Sequence, residues 1–335
     1  MGKYTNYLET IGKNEVGDLI AKSYGLFINS FDAVVAGEIG ESYIVESKER
    51  IKYFFKILKK EKVDHIDDLD ASLRLSSYLS SSGITAISSP LKTIEGRPML
   101  EYGEYFFILS NYIDAKRIDV PIPKEDVEKI ASAVGALHCL GSAELGLRDE
   151  PFDTSYADML KDQLDTIENS SDAALRNLLL SNKERLLRDL ADLQSFCIAA
   201  QGAKKAGVIT HGDLIADNML KDKSGQIYIV DWDTARIAPP ERDVWFFLKD
   251  DNAREFLSVY KEVNPDVSFN INIIGFFMYK RYLEDIVYWL DEILTKNISE
   301  EQKIANIAGI KISCLDAYSG ISEIMESIKK AIVTS

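Results

Sequence analysis

Apolar positions along the 335-residue chain change period about a third of the way in. Over residues 5–25, Leu8, Ile11, Val16, Leu19 and Ile20 recur at helical spacing, and Gly25 marks a stop. SFDAVVAGEIGESYIVE (30–46) reads instead as two short β-rich runs joined by a turn that holds Gly37 and Gly40. KYFFKIL (52–58) predicts a third strand, whose alternation sets Lys56 opposite its apolar neighbours. DASLRLSSYLSSSG (70–83) has the helical period and ends on Gly83. ISSPLKT (87–93) and YFFILSNYI (105–113), with a turn around Glu95-Gly96, complete a small, mostly antiparallel sheet. From Pro121 onward helix dominates. IPKEDVEKIASAVGALHCLG (122–141) has proline near its start, acids in its first turn and Gly141 at its end. Helical patterns follow at 153–202, 241–247, 254–263, 276–294 and 308–332, interrupted by one buried strand, IYIVDWD (227–233). A β-rich first third and a helical remainder predict an α+β protein of two lobes, residues 1–113 and residues 114–335.

Charge narrows the partners. Lys and Arg total 39 against 54 Asp and Glu, a net −15 that repels nucleic acid and anionic membranes and attracts cations. Cys139, Cys197 and Cys314 are far apart, with only His65, His138 and His211 to join them. That excludes a zinc cluster and fits reduced thiols in a cytoplasmic protein. MGKYTNYLE lacks the apolar core of a signal peptide, and the longest apolar run, NIIGFFMY (272–279), is too short to span a bilayer.

The polar chemistry concentrates in THGDLIADNMLKDKSGQIYIVDWD (210–233). Metal-assisted phosphoryl transfer from ATP needs a group to accept a hydroxyl proton and oxygen ligands to hold Mg2+ against the phosphates. Asp213 fits the first task; Asn218, five residues on, and Asp231, thirteen beyond that, fit the second. Asp233 follows Asp231 at same-face strand spacing, placed to share the metal or buttress the loop, and His211 is expected to brace the loop by hydrogen bonding. Gly37, Gly40 and Ser42 stand where a phosphate-covering hairpin would lie, although GxxG alone is equally a plain turn. Lys56 interrupts an apolar strand, so its charge must find a partner or a ligand such as a nucleotide phosphate. His138 lies on the apolar face of its helix and reads as a core histidine supporting the catalytic loop. Asp243, beside Arg242 in PPERDVWFF, reads as half of an internal ion pair or as a cap on the catalytic loop's backbone.

These residues resemble the aminoglycoside phosphotransferase and choline kinase superfamily, which shares the protein-kinase-like fold. The likeness covers most of the chain and is sharpest over 208–247, in THGDLIADNML, IYIVDWDTA and APPERDVWFF. APPERDVWFF, YKRYLEDI (279–286) and SSYLSSSGITAISSPLKT look most like the spectinomycin phosphotransferase branch. The resemblance implies that Asp213 is the base, that Asn218 and Asp231 hold Mg2+, and that Lys56 meets the α- and β-phosphates. It also implies that Leu109, Ser110, Asn111 and Tyr112 present backbone groups to adenine. One departure stands out. Family members usually pair the strand lysine with a glutamate of the first-lobe helix, but Ser72 falls at that position and Asp70 is the nearest acid. Either Asp70 serves, or Lys56 is held less firmly until nucleotide binds.

The acceptor is expected between the catalytic loop and the last helices. Asp217, Glu284 and Asp285 would supply negative charge there, and Tyr279, Tyr282, Tyr288 or Trp289 flat walls. A solvated acidic helix face is the competing reading of Glu284 and Asp285. The expectation is an ATP-dependent O-phosphotransferase acting on a small cationic polyhydroxyl or amino-alcohol compound. The alternatives are a metabolic kinase for choline, homoserine, a sugar or methylthioribose, and a non-catalytic nucleotide-binding scaffold. A protein kinase fits least, because no DFG triplet is present and no APE follows Asp231.

Overall fold

The computed structural model describes residues 7–34, 40–63, 65–82, 87–140, 145–203, 207–249 and 251–334. Gly37, Gly83 and Gly141 lie outside the described residues. Chain contacts divide the protein into an N-terminal unit, residues 4–149 with 208–237, and a C-terminal unit, 150–207 and 238–335 with residues 1–3. The boundary expected at 113/114 thus falls inside the N-terminal unit.

The N-terminal unit opens with α1 (Tyr7–Ile11) and α2 (Lys13–Tyr24). The sequence reads as one helix here, but Gly12 adopts φ +102°, and the chain breaks and restarts. Gly25, at φ +71°, ends α2 by donating its N–H to the Ala21 carbonyl. A five-stranded sheet follows: β1 (Ile28–Ala33), β2 (Gly40–Ser47), β3 (Lys52–Lys59), β4 (Leu100–Tyr102) and β5 (Tyr105–Asn111). Its order is β1-β2-β3-β5-β4, with every neighbour antiparallel. Residues 87–93 form no strand. They make isolated bridges through Ile87 and Pro90, because proline supplies no N–H to continue a ladder. The sheet's last strand is Leu100–Tyr102 instead.

Strand alternation gives this sheet two distinct faces. Tyr43, Val45, Tyr53, Phe55, Ile57, Phe107 and Leu109 pack against Leu8, Val16 and Ile20 of the first two helices. Burying each such aliphatic side chain contributes about 1.5–3 kcal/mol. The opposite face carries Leu58, Phe106 and Ile108, which meet Leu69 and Leu73 of α3 (Ile66–Ser81). Ser42 and Lys56 share that second face, since they are register partners and Lys56 in turn pairs with Ile108.

The rest of the unit is α4 (Lys124–Cys139) and a set of very short strands. β6 (Ala115–Arg117), β8 (Met219–Asp222) and β9 (Ile227–Ile229) form one sheet; β7 (Val208–Thr210) and β10 (Arg236–Ala238) pair separately.

The C-terminal unit is helical. α5 (Tyr156–Glu168), α6 (Ala173–Leu180), α7 (Lys183–Gly202), α8 (Glu241–Leu248) and α9 (Ala253–Val263) precede the long α10 (Ile271–Thr295). The α10 helix packs on α5, α7 and α8 through a stripe that includes Ile274, Met278, Tyr282, Ile286 and Leu290. The helix expected over 308–332 is instead α11 (Glu300–Gly309), a π-helical stretch (Ile310–Asp316) and α12 (Ile321–Thr334). Among the described residues no helix is long and apolar enough to cross a membrane.

Candidate active site

Asp213 is fixed by its own loop. Asn218 Nδ2 donates to both the Asp213 carbonyl and its Oδ2, at 2.9 Å each. The 3-10 turn Ala216–Asn218 brings the amide back across those five residues. His211 is fully buried and links two segments. Its Nδ1 accepts the Asp213 N–H at 3.2 Å, while Nε2 lies 3.0 Å from the Val230 carbonyl. Those contacts suit the tautomer that carries its hydrogen on Nε2. The ring also stands edge-on to Trp232, with centroids 4.6 Å apart.

Asn218 and Asp231 are joined through the backbone. The Val230 N–H donates to the Asn218 carbonyl at 3.0 Å, and β9 ends at Ile229, so the strand expected over 227–233 stops short. Asp231 then takes φ +66°, a left-handed conformation that costs a non-glycine residue free energy and turns its side chain out of the strand.

Lys56 meets both acids of the DWD triplet. Its Nζ lies 2.9 Å from Asp231 Oδ1 and 2.6 Å from Asp233 Oδ2. Side-chain exposure is 16% for Lys56, 19% for Asp233 and 49% for Asp231, so Asp231 alone of the three faces solvent broadly. Burial by itself would depress the Lys56 ammonium, but the Asp233 and Asp231 carboxylates outweigh it and hold its pKa above the ordinary value. Burial opposes ionisation of Asp231 too, yet Lys56 holds that carboxyl below its usual range. The more enclosed Asp233 is pushed up by burial.

The helix α3 gives Lys56 no acid. Asp70 pairs with Arg74 on its own helix at 2.6 Å, and Ser72 Oγ is buried without a hydrogen-bond partner among the described residues. The two expectations for Lys56 therefore resolve in an unforeseen way: Asp231 and Asp233 hold it.

Asn218 spends its amide hydrogens on Asp213 and keeps Oδ1 as an oxygen donor, and the Asp231 carboxylate is half-exposed. Among the described residues no group of three or more His, Cys, Asp or Glu could hold a metal alone. One amide and one carboxylate suit Mg2+, whose remaining positions are filled by water and phosphate oxygens.

Other candidates are placed less simply. Gly40 sits at the root of β2, where a Cβ would come within 2.4 Å of the Ile57 carbonyl oxygen. Ser42 is buried beside Lys56. Leu109 has its side chain in the core shared with α2 and its carbonyl bonded to the Leu91 N–H at 2.6 Å, so that carbonyl is already engaged. Ser110 and Asn111 belong to the β3–β5 ladder, and Tyr112 follows it with its ring 5.7 Å from Lys52 Nζ. His138 is buried on α4.

Asp217 pairs with Arg117 at 3.0 Å on an exposed surface. Glu284 pairs with Lys280, and Asp285 with Arg281 at 3.0 Å, so each acid is balanced one helical turn back. Tyr279 and Tyr282 are only 2% and 0% exposed and are core residues, not walls, because both fall on the buried stripe of α10. Asp243 is buried in the first turn of α8, and the neighbouring Arg242 pairs with Glu150 at 3.1 Å.

Protein StrN of Streptomyces griseus is 26% identical over 199 residues, 54% of this chain and 61% of that protein's length. Spectinomycin phosphotransferase APH(9)-Ia, solved with ADP and spectinomycin, superposes with a TM-score of 0.75 at 18% identity, covering 95% of this chain and 98% of that one. Amicoumacin kinase hAmiN, solved with AMP-PNP, Ca2+ and Ami, gives 0.63 at 12% identity, covering 92% and 96%. These likenesses carry the fold, the protein-kinase-like fold of aminoglycoside phosphotransferases. The model of the phosphotransferase enzyme family matches residues 32–263, well over half of the sequence, and the chain belongs to that family.

Proposed function

We propose that the protein is an ATP-dependent O-phosphotransferase, moving the γ-phosphate to a hydroxyl of a small cationic polyhydroxyl or amino-alcohol compound. The observation that carries this reading is the Asn218 amide. It donates to the Asp213 carboxylate at Oδ2 and keeps its own oxygen for a ligand, while the Val230 N–H, one residue before Asp231, donates to the Asn218 carbonyl.

In this reading Asp213 accepts the proton of the acceptor hydroxyl as that oxygen bonds to phosphorus and the bond to the β-phosphate bridging oxygen breaks, releasing ADP. Asn218 and Asp231 would hold Mg2+, which when bound offsets the negative charge of the phosphates. Lys56, kept cationic by its acidic neighbours, and Ser42, on the same sheet face, address the phosphates, with Gly40 letting the hairpin close over them. Ser110, Asn111 and Tyr112 are the backbone candidates for adenine. His211 keeps Asp213 in register with the strand that delivers Asp231.

Asp213→Ala is expected to lower turnover about 10²–10⁴-fold while nucleotide affinity is retained. ADP release across an acceptor panel, with nucleotide binding measured separately, checks this; wild-type turnover in the variant would remove Asp213 from the role of base. A second reading, a kinase for a metabolite alcohol, draws on one observation: Glu284 and Asp285 are already neutralised within α10. Choline, homoserine, sugars and methylthioribose tested beside spectinomycin-like compounds separate the two.

A further inference from the structure

The α3 helix lies on apolar side chains, which hold it down but do little to fix its rotation or slide. Its acids differ sharply in what they do. Asp67 is exposed and Asp70 is spent on Arg74, but Asp68 points inward with its side chain 18% exposed. Asp68 Oδ1 lies 2.8 Å from Arg148 Nε, an ion pair off the N–H axis, and Oδ2 lies 3.8 Å from Arg236 Nη2.

Both arginines are tied to the segment that follows Asp233. The Arg148 carbonyl accepts the Ile237 N–H at 2.9 Å, alongside a parallel bridge between Asp149 and Ile237. The Arg236 carbonyl accepts from Thr210 Oγ1 at 2.9 Å, and Thr234 Oγ1 donates to the His211 carbonyl at 2.9 Å. A continuous set of polar links therefore runs from α3 through Arg236, three residues past Asp233, to the loop of Asp213. No other acid of α3 makes such a connection among the described residues.

We propose that Asp68, acting through Arg148 and Arg236, is a positioning residue that locks α3 to the segment bearing Asp231 and Asp233. It does the tethering that a Lys56–α3 pair would otherwise provide. A carboxylate held between two guanidinium charges favours one placement of its helix over others, which apolar packing does not. Loss of Asp68 also leaves two like charges facing each other, so this single side chain controls both links.

The inference rests on the phosphotransferase reading for its functional consequence, and the test separates the two. Asp68→Asn should weaken nucleotide binding on the order of tenfold and speed amide hydrogen exchange in residues 66–81 and 231–237 together. Asp68→Glu should restore much of both. Arg236→Gln combined with Asp68→Asn should be no worse than Asp68→Asn alone. Additive losses, or faster exchange in α3 with 231–237 unchanged, would overturn the coupling. If Asp68→Asn does not fold, Arg236→Lys serves: the coupling requires faster exchange in both segments, and wild-type exchange in both refutes it. A wild-type protein that transfers phosphate to no acceptor would sink the proposed function, while the exchange measurement would still decide the coupling.

Discussion

One ammonium group at Lys56 balances two carboxylates, and that imbalance sets what its removal should do. Lys56→Met would leave Asp231 and Asp233 facing each other without a cation, in a partly enclosed site where like charges repel strongly. The variant should melt several degrees below wild type in the absence of divalent ions. Added Mg2+ should raise its melting temperature more than it raises that of wild type, because an ion bound at Asp231 replaces the missing charge. Equal Mg2+ shifts in the two proteins would mean that Asp231 does not bind the metal. The need of Lys56 for a partner was legible in FFKIL, since a charge inside an apolar strand must be compensated. The identity of the partners was not. They lie 175 and 177 residues away, and only the left-handed turn at Asp231 and the exit of β9 aim them at the lysine. The Asp213–Asn218 spacing was legible for the opposite reason: its geometry is closed within five residues.

At the scale of elements, the pairing of β2 with β3 leaves no room for a side chain at Gly40. A Cβ there would lie 2.4 Å from the Ile57 oxygen and 2.6 Å from Leu58 Cδ2. The backbone oxygen cannot rotate away, so Gly40→Ala must separate the strands at the root of the hairpin. A cost of about 1–3 kcal/mol in stability is expected, together with a higher KM for nucleotide, since Ser42 and Lys56 form the register pair two places on. Denaturant melts and nucleotide titrations measure the two effects, and an unaltered midpoint would refute the close contact. Alternation exposed β1, β2, β3 and β5 in the sequence because one face of each meets a core. Strands of three or four residues, β6, β7, β8 and β10, fall below the length at which a period can be read, whereas β9 showed through the apolar run of IYIV. The run 87–93 has the composition of a strand, and Pro90 denies it the ladder. The helical period over 308–332 was real, but residues 310–316 wind with a wider turn that the period does not distinguish from α.

For the whole molecule the governing quantity is charge: 54 acids against 39 Lys and Arg leave 15 negative charges unbalanced. On α10 the acids first expected to attract an amine are paired with Lys280 and Arg281, so attraction for a cationic acceptor comes from the chain's summed field rather than from those two side chains. A field of that kind is screened over about 10 Å at 0.1 M salt, whereas a desolvated contact pair is not. Raising salt from about 50 to 500 mM should therefore lower kcat/KM for a cationic acceptor severalfold and leave a neutral polyol acceptor nearly unchanged. Glu284→Gln should change the first slope little, because its charge is already met by Lys280. Initial rates for one cationic and one neutral acceptor across a salt series decide the matter. Identical slopes for the two acceptors would remove electrostatic attraction from acceptor choice. A slope abolished by Glu284→Gln would return the selectivity to that single carboxylate, with Lys280 as the cation that the acceptor's amine displaces.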